Sequence, residues 1–404
     1  MPINLVKLKL KLSVRSATLV KCDDFIAGRC HSCRSLDQVY SDQLINKQLS
    51  CERALAFAAH LTWLPIQVSP EIGFRNKAKM VVSGHWREPI LGINHLHGQS
   101  VDLTMCPLYP VEFQNIFKRL KEWITLCKLM PYSIAQRTGN LKFVLVSYSQ
   151  STQSWMIRWV LRSHHAISTL RHYLPDLLAV LPAQTVVSVN IQPIDMAIVE
   201  GEEEIVLTEA ATLCYCFNNI PLLCRPKSFF QTNDAVASQL YAQAQCWVKP
   251  LAPQRVWDLF CGVGGFALHL AQVLPYAQIT GIEISTEAIE SAKLSAHQIG
   301  CHDRTTFRAL TAQDFSLASH QQNELPDGVV VNPPRRGLGR ELSLFLNNST
   351  TIDWIVYSSC SVDSLAKDLT QLSQFTPVTA QAFDMFPHTQ HVEVLVLLMR
   401  HQKE

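Results

Sequence analysis

The rear half of the chain alternates short apolar runs with stretches of helical periodicity. Val256-Trp257-Asp258-Leu259-Phe260 predicts a buried strand ending in Cys261-Gly262-Val263-Gly264-Gly265, after which Phe266 to Val273 reads as helix. Gln278 to Glu283 predicts a second strand with an acid at its end. Ser285 then caps a helix that carries Glu287 in its first turn and runs to about His297. Thr305 to Leu310, Val329 to Asn332 and Asp353 to Tyr357 supply three more strands. The fourth is stopped by Pro333-Pro334, because proline cannot extend a hydrogen-bonded ladder. A helix over Asp363 to Leu372 follows, and Gln381 to Phe386 with Val392 to Met399 reads as a closing hairpin. Strands and helices in this alternation predict an α/β, doubly wound parallel sheet over residues 226–404.

The front half carries a different pattern. Asp42 to Leu61 reads as helix, and Phe74 to Val82 as a strand whose period of two places Arg75, Lys77 and Lys79 on one face. Leu141 to Tyr148, Trp155 to Leu161 and Val186 to Ile191 predict further strands, making residues 22–225 an α+β region. Leu222 to Asn233 is expected to link it to the rear domain. In residues 1–21, Lys7, Lys9 and Lys11 alternate with Leu8, Leu10 and Leu12, with no continuous apolar segment of a signal peptide. This extension is expected to be disordered.

Composition narrows the class. With 404 residues, 48% hydrophobic and 17% charged, the chain has the make-up of two or three globular domains. No apolar stretch reaches the roughly 20 residues needed to span a bilayer. Thirteen cysteines without an export signal predict a reducing cytoplasm, where clustered thiols more often bind metal than pair as disulfides. The net charge of +2 hides an asymmetry: residues 1–142 hold 19 Lys and Arg against 10 Asp and Glu, whereas residues 226–404 hold 12 against 16. A basic front part beside an acidic rear part suggests a polyanion-binding region joined to a catalytic one.

Four cysteines stand apart from a fifth. Cys22, Cys30 and Cys33 form a Cys-x7-Cys-x2-Cys trio, and Cys106 follows in Met105-Cys106-Pro107. This set suits an iron–sulfur cluster or a structural zinc. Cys360 ends the fifth strand in Tyr357-Ser358-Ser359-Cys360 and is a candidate nucleophile, with Cys261 as its rival. The glycine turn brings backbone close to a ligand, and Glu283, 21 residues beyond Gly262, is placed to accept hydrogen bonds from ribose hydroxyls. Asn332-Pro333-Pro334-Arg335 closes the fourth strand and aims Asn332 at a cofactor or a planar base. Glu393 lies in an apolar segment, as a base or as the partner of Arg335 or Arg336.

Taken together these segments resemble the bacterial RNA uridine-5 methyltransferases, and most closely the branch acting on uridine 747 of 23S ribosomal RNA. The likeness is carried by Ala27 to Cys33, Gly73 to Met80, Cys106 to Pro110, Ser228 to Asn233, Asp258 to Phe266, Asn332 to Gly337, Tyr357 to Cys360 and Asp384 to Thr389. It implies a Rossmann-like S-adenosylmethionine-dependent methyltransferase domain behind an α+β RNA-binding domain with an iron–sulfur cluster. It further implies a [4Fe-4S] cluster on Cys22, Cys30, Cys33 and Cys106, and S-adenosyl-L-methionine held by Gln231, Phe260, Glu283 and Asn332. Cys360 would be the nucleophile and Glu393 the base. The partner would be 23S ribosomal RNA, met by a monomer with no membrane and no obligate protein partner.

Phe229, Phe230 and Phe386 are candidate stacking partners for a base, and Arg75, Lys77, Lys79, Arg137 and Lys142 candidate phosphate contacts. A flavin- or nicotinamide-dependent oxidoreductase using the cluster is disfavoured, because the turn lacks the dinucleotide pattern and Cys360 would have no role. A non-catalytic RNA-binding protein is disfavoured by the joint presence of Gln231, Glu283, Cys360 and Glu393.

Overall fold

A computed structural model of the protein describes residues 19–94, 100–195, 198–321 and 325–401, so that all but the last three residues of the expected extension over 1–21 lie outside it. The described residues begin with a single helical turn, α1 (Asp23–Ile26), and a longer helix, α2 (Tyr40–Ala54). The helix stops at Ala54 and not at Leu61, because the next apolar residues extend as strand β1 (Thr62–Gln67).

A seven-stranded sheet follows, built from β2 (Lys77–His85), β3 (Glu88–Asn94), β4 (Ser100–Asp102), β5 (Leu141–Ser149), β6 (Ser154–Leu161), β7 (Val186–Ile191) and β8 (Glu203–Val206). Its order is β4-β3-β2-β5-β6-β7-β8, antiparallel except for the β6–β7 pair. Helices α3 (Glu112–Leu126) and α4 (Ile167–Leu178) cover one face, where Trp123 packs on the fully buried Trp159 with ring centroids 4.7 Å apart. Alternation along β6 turns Met156 to the other face, toward a hairpin of β9 (Leu213–Phe217) and β10 (Ile220–Cys224). Leu222 to Cys224 is therefore strand and not linker. Tyr215 and Phe217 of the hairpin stack on Phe230, and this cluster is continuous with the core of the rear sheet.

The rear unit runs α5 (Asp234–Val248), β11 (Arg255–Leu259), α6 (Gly265–Val273), β12 (Gln278–Glu283), α7 (Thr286–Gln298), β13 (Thr305–Ala309), α8 (Ala312–Gln321) and β14 (Gly328–Val331). It ends with α9 (Arg340–Asn348), β15 (Trp354–Ser359), α10 (Val362–Gln371), β16 (Phe375–Phe383) and β17 (Glu393–Arg400). The strand order is β13-β12-β11-β14-β15-β17-β16-β1, with only β17 antiparallel to its neighbours. Val256 faces one apolar layer and Trp257 and Leu259 the other, which is why the central strands read as unbroken apolar runs. The chain leaves β11 toward β12 and later returns on its other side at β14, opening a crevice at the carboxyl ends of these strands.

The division expected at residue 225 does not coincide with the sheets. β1 pairs in parallel with β16, and Tyr40, Leu44, Cys51 and Leu55 of α2 join the core of the rear sheet. A buried polar network closes this junction. Asp384, fully buried, accepts from Tyr40 Oη at 2.7 Å and from Lys47 Nζ at 2.5 Å, while its own N–H donates to Gln67 O at 2.9 Å. Lys47 Nζ also donates to Phe386 O at 3.0 Å. Asn233 caps α5 and donates to Ser69 Oγ at 2.8 Å and to Met385 O at 3.2 Å. Removing one partner of a buried pair leaves an uncompensated charge, so Lys47→Ala is expected to lower unfolding stability by about 3–5 kcal/mol. Urea denaturation of the two proteins checks this, and a loss under about 1 kcal/mol would mean that the pair behaves as an exposed one.

Candidate active site

The crevice is built from strand ends in register. Leu259 stands opposite both Ile282 and Val331, and Val331 opposite Tyr357. The next residues, Phe260, Glu283, Asn332 and Ser358, therefore line one rim. The turn after β11 is held by Asp258, whose buried Oδ2 accepts from Ala267 N at 2.8 Å. Burial pushes this carboxyl up to about 7, an effect the hydrogen bond partly offsets. Phe260 adopts φ +64°, a left-handed conformation that costs a residue with a Cβ roughly 1–2 kcal/mol. Gly264 sits at φ +83°, and a Cβ on Gly265 would collide with the hydroxyl of Tyr241, so helix α6 can approach α5 only without a side chain there.

Glu283 points at this turn: its Oε2 accepts from Gly262 N at 3.3 Å and its Oε1 from Ser285 N at 3.1 Å. Asn332 is half-buried, and its N–H donates to Leu259 O at 3.3 Å. Gln231 is buried, and its carbonyl accepts from Asn76 Nδ2 at 3.0 Å. Asn76 also donates to the Asp234 carboxylate in the first turn of α5. A further acid, Asp314, follows β13. It lies in the first turn of α8 and accepts from Thr311 Oγ1 at 2.7 Å.

Cys360 follows β15, half-buried, immediately before Ser361, which caps α10 by accepting from Ser364 N at 3.4 Å. Burial and then the nearby Glu393 carboxylate push its thiol up, while Arg335, within hydrogen-bonding reach, pulls it down. Glu393 opens β17 and is buried; its Oε1 accepts from Ser358 Oγ at 2.6 Å. The strands explain that contact, since Ser358 pairs with Leu395, two residues from Glu393 on the same face. Glu393 thus has a hydroxyl partner, and Arg335 turns to the thiol. Burial without a countercharge raises Glu393 to about 7. Cys261 is more deeply placed: it is buried beside Asp258 and Glu283, and burial first, then those acids, hold its thiol well above the ordinary value.

The four front cysteines converge without forming a tight cage. Each is half-buried, and beyond burial itself Cys106, Cys30 and Cys22 together push Cys33 up to about 12. Cys106 is raised to about 11, again by burial first and then by Cys22 and Cys30. Among the described residues no three His, Cys, Asp or Glu side chains are gathered closely enough to hold one metal ion.

Several expected RNA contacts are turned inward. Lys77 shares a face with Lys79 but is covered by the hairpin beside Cys224, and burial lowers its ammonium to about 8. Lys142 is buried and donates to Gln192 and to Ile194 O. Lys79 reaches Glu200 at 3.5 Å, and the exposed Arg137 lies 3.9 Å from Asp195. Phe230 is core, whereas Phe229 is 72% exposed and Phe386 packs edge-on to His391. Sequence reasoning did not single out Ser358, Lys47 or a thiol contact from Arg335. Of these, Ser358 carried a signal, since it lies within the Tyr357-Ser358-Ser359-Cys360 run.

The comparisons with known proteins agree with this geometry. Residues 223–401 match the family model of the tRNA (uracil-5-)-methyltransferases. A relative from Vibrio cholerae, 23S rRNA (uracil(747)-C(5))-methyltransferase RlmC, is 47% identical over 94% of this chain and 100% of its own length. The protein of the same name from Proteus mirabilis is 49% identical over 95% of this chain and 100% of its own length. The crystal structure of a Pyrococcus abyssi tRNA (uracil-54, C5)-methyltransferase in complex with S-adenosyl-L-homocysteine shares the fold, with a TM-score of 0.76 at 24% identity over 91% of this chain and 85% of that one. Nearly half of its residues are shared with relatives along nearly its whole length, and the chain belongs to the family of S-adenosylmethionine-dependent RNA (uracil-5-)-methyltransferases.

Proposed function

We propose that the protein methylates carbon 5 of a uridine in 23S ribosomal RNA, uridine 747 by likeness to its relatives, through a covalent bond between Cys360 and the pyrimidine. The single observation that carries this reading is the pairing of a half-buried thiol with a buried, unneutralised carboxylate at the rim of the crevice. S-adenosyl-L-methionine, when bound, supplies an electrophilic methyl group. Gln231, Phe260, Glu283 and Asn332 line the site for it, with Glu283 set for the ribose hydroxyls.

The Cys360 thiolate adds to carbon 6 of uracil, and the ring's electron pair moves to make carbon 5 nucleophilic. Arg335 favours the thiolate against burial. Carbon 5 takes the methyl group, after which the Glu393 carboxylate removes the carbon 5 proton. The electrons of that C–H bond expel the Cys360 thiolate and restore the double bond. A thiol suits both ends of the sequence, since it attacks near neutral pH and leaves readily. A base already partly protonated near pH 7 takes and returns one proton with little penalty. Reaching the ring requires the uridine to leave its stack, which costs least in a single-stranded loop. The protein would act as a monomer in the cytoplasm, and no described helix is long and apolar enough to cross a membrane.

The nearness of Cys22, Cys30, Cys33 and Cys106 to one another supports the [4Fe-4S] cluster that the sequence resemblance implies, with these four thiolates as its ligands. Mutual repulsion among the four as thiolates is what such a cationic core would relieve. The cluster would brace the front region, and no step of methyl transfer runs through it.

In gel-shift trapping with 5-fluorouridine RNA, Cys360→Ala should give neither adduct nor product. Glu393→Gln should accumulate an adduct on normal RNA, and prompt release of methylated product from it would exclude Glu393 as the base. Because the carboxylate is the active form, product release in single-turnover assays should rise about tenfold per pH unit below the Glu393 value of about 7 and level above it. A release rate flat from pH 5.5 to about 8 would contradict that assignment. Anaerobically purified protein should contain iron and absorb in the visible, and Cys30→Ser should lose both and melt at a lower temperature. A Cys30→Ser protein with unchanged iron and melting temperature would defeat the cluster reading.

A further inference from the structure

With Lys142 buried and Lys77 half-buried under the hairpin, other cations are freer to meet RNA. Arg34, Arg335 and Arg336 are all exposed, and among the described residues none of them pairs with a carboxylate. They come from two loops that are fixed independently. Arg34 follows Cys33 and precedes Ser35, whose N–H donates to His388 O at 3.0 Å. His388 is clamped in turn: its N–H donates to Gln43 Oε1 at 2.9 Å, and its ring meets Glu71 O at 2.8 Å through Nε2 and Gln43 Nε2 at 3.3 Å through Nδ1. Both ring contacts are satisfied when Nε2 carries the proton.

The second loop is anchored under the thiol strand. Leu338 N donates to Asp368 Oδ2 at 2.7 Å, and Tyr357 Oη donates to the same oxygen at 2.6 Å. Gly337, at φ +82°, allows the close approach that a Cβ would block against this carboxylate. Each loop is tied to the strand ends that carry the thiol and the acid: Ser35 is bonded to His388, five residues before Glu393, and Arg335 reaches the Cys360 thiol. The ring of His391, two residues before Glu393, loses its proton more readily than usual through burial, and then through the nearness of Arg335, Lys47 and Arg34. Unpaired like charges held together on rigid backbone are unfavourable unless a polyanion bridges them.

We propose that Arg34, Arg335 and Arg336 form a phosphate-binding rim that grips the RNA backbone beside the nucleotide presented to Cys360. A uridine drawn out of its stack is flanked by phosphates on both sides, and guanidinium groups on two preorganised loops match that demand. The inference rests on the RNA methyltransferase reading and names how this face holds the substrate.

The test is the salt dependence of binding to a 23S ribosomal RNA transcript, followed by fluorescence anisotropy. Arg335 is left intact because it also meets the thiol. Arg34→Gln and Arg336→Gln should each flatten the slope of log affinity against log salt by about 0.7, and the double variant by about twice that. Arg34→Lys and Arg336→Lys should keep the wild-type slope, since they keep the charge. Unchanged calorimetric binding of S-adenosyl-L-homocysteine to all variants shows that the rear domain is intact. A double Gln variant with the wild-type slope overturns the rim. Methylation of the transcript is scored separately: wild-type protein that binds but transfers no methyl group removes the activity, while the slopes still decide the rim.

Discussion

Asp384 is a fully buried carboxylate, and the way its charge is neutralised holds the molecule's two halves to one geometry. A buried charge must be paired and hydrogen-bonded or the fold loses several kcal/mol. Its partners come from far away in the chain: Tyr40 and Lys47 on α2, and Gln67 at the end of β1. The front segment therefore cannot leave the rear sheet without stranding a charge. The loop that Asp384 opens carries Phe386, His388 and His391 and then feeds Glu393 into β17. Placement of the candidate base thus depends on a lysine more than three hundred residues earlier.

Two carboxylates at this end of the β16–β17 pair are treated in opposite ways. Asp384 has an ammonium group against it, whereas Glu393 has only the hydroxyl of Ser358. Different surroundings separate a structural anion from a group poised to exchange a proton near neutrality. Cys360 lies between opposing influences, with Glu393 disfavouring its thiolate and Arg335 favouring it. Charge on Glu393 and charge on Cys360 therefore oppose each other, which suits a sequence in which the thiolate acts before the base.

The cations follow the same division. Arg158, buried, is tied to Glu200 and Glu204 and stiffens the edge of the front sheet. Lys77 and Lys142 point inward, and the excess positive charge of the front half is consequently a poor map of the surface it presents. Exposed guanidinium groups without a carboxylate partner stand instead at Arg34 and at Arg335 and Arg336, the last two on a loop of the acidic half.

Strand and helix order in the rear half, the glycine turn, Glu283 at the end of its strand and Cys360 at the end of another were legible in the sequence. Each depends on local rules: apolar runs, caps, and the conformations open to glycine and proline. The hairpin β9–β10 was partly hidden in an expected link, because its short strands gain stability only from packing between two sheets. The addition of β1 beside β16, the pairing of Asp384 with Lys47, the Ser358 contact of Glu393 and the covering of Lys77 by the hairpin were decided by tertiary structure alone. Pairing and desolvation involve residues tens to hundreds of positions apart, and no local periodicity records which of them will meet.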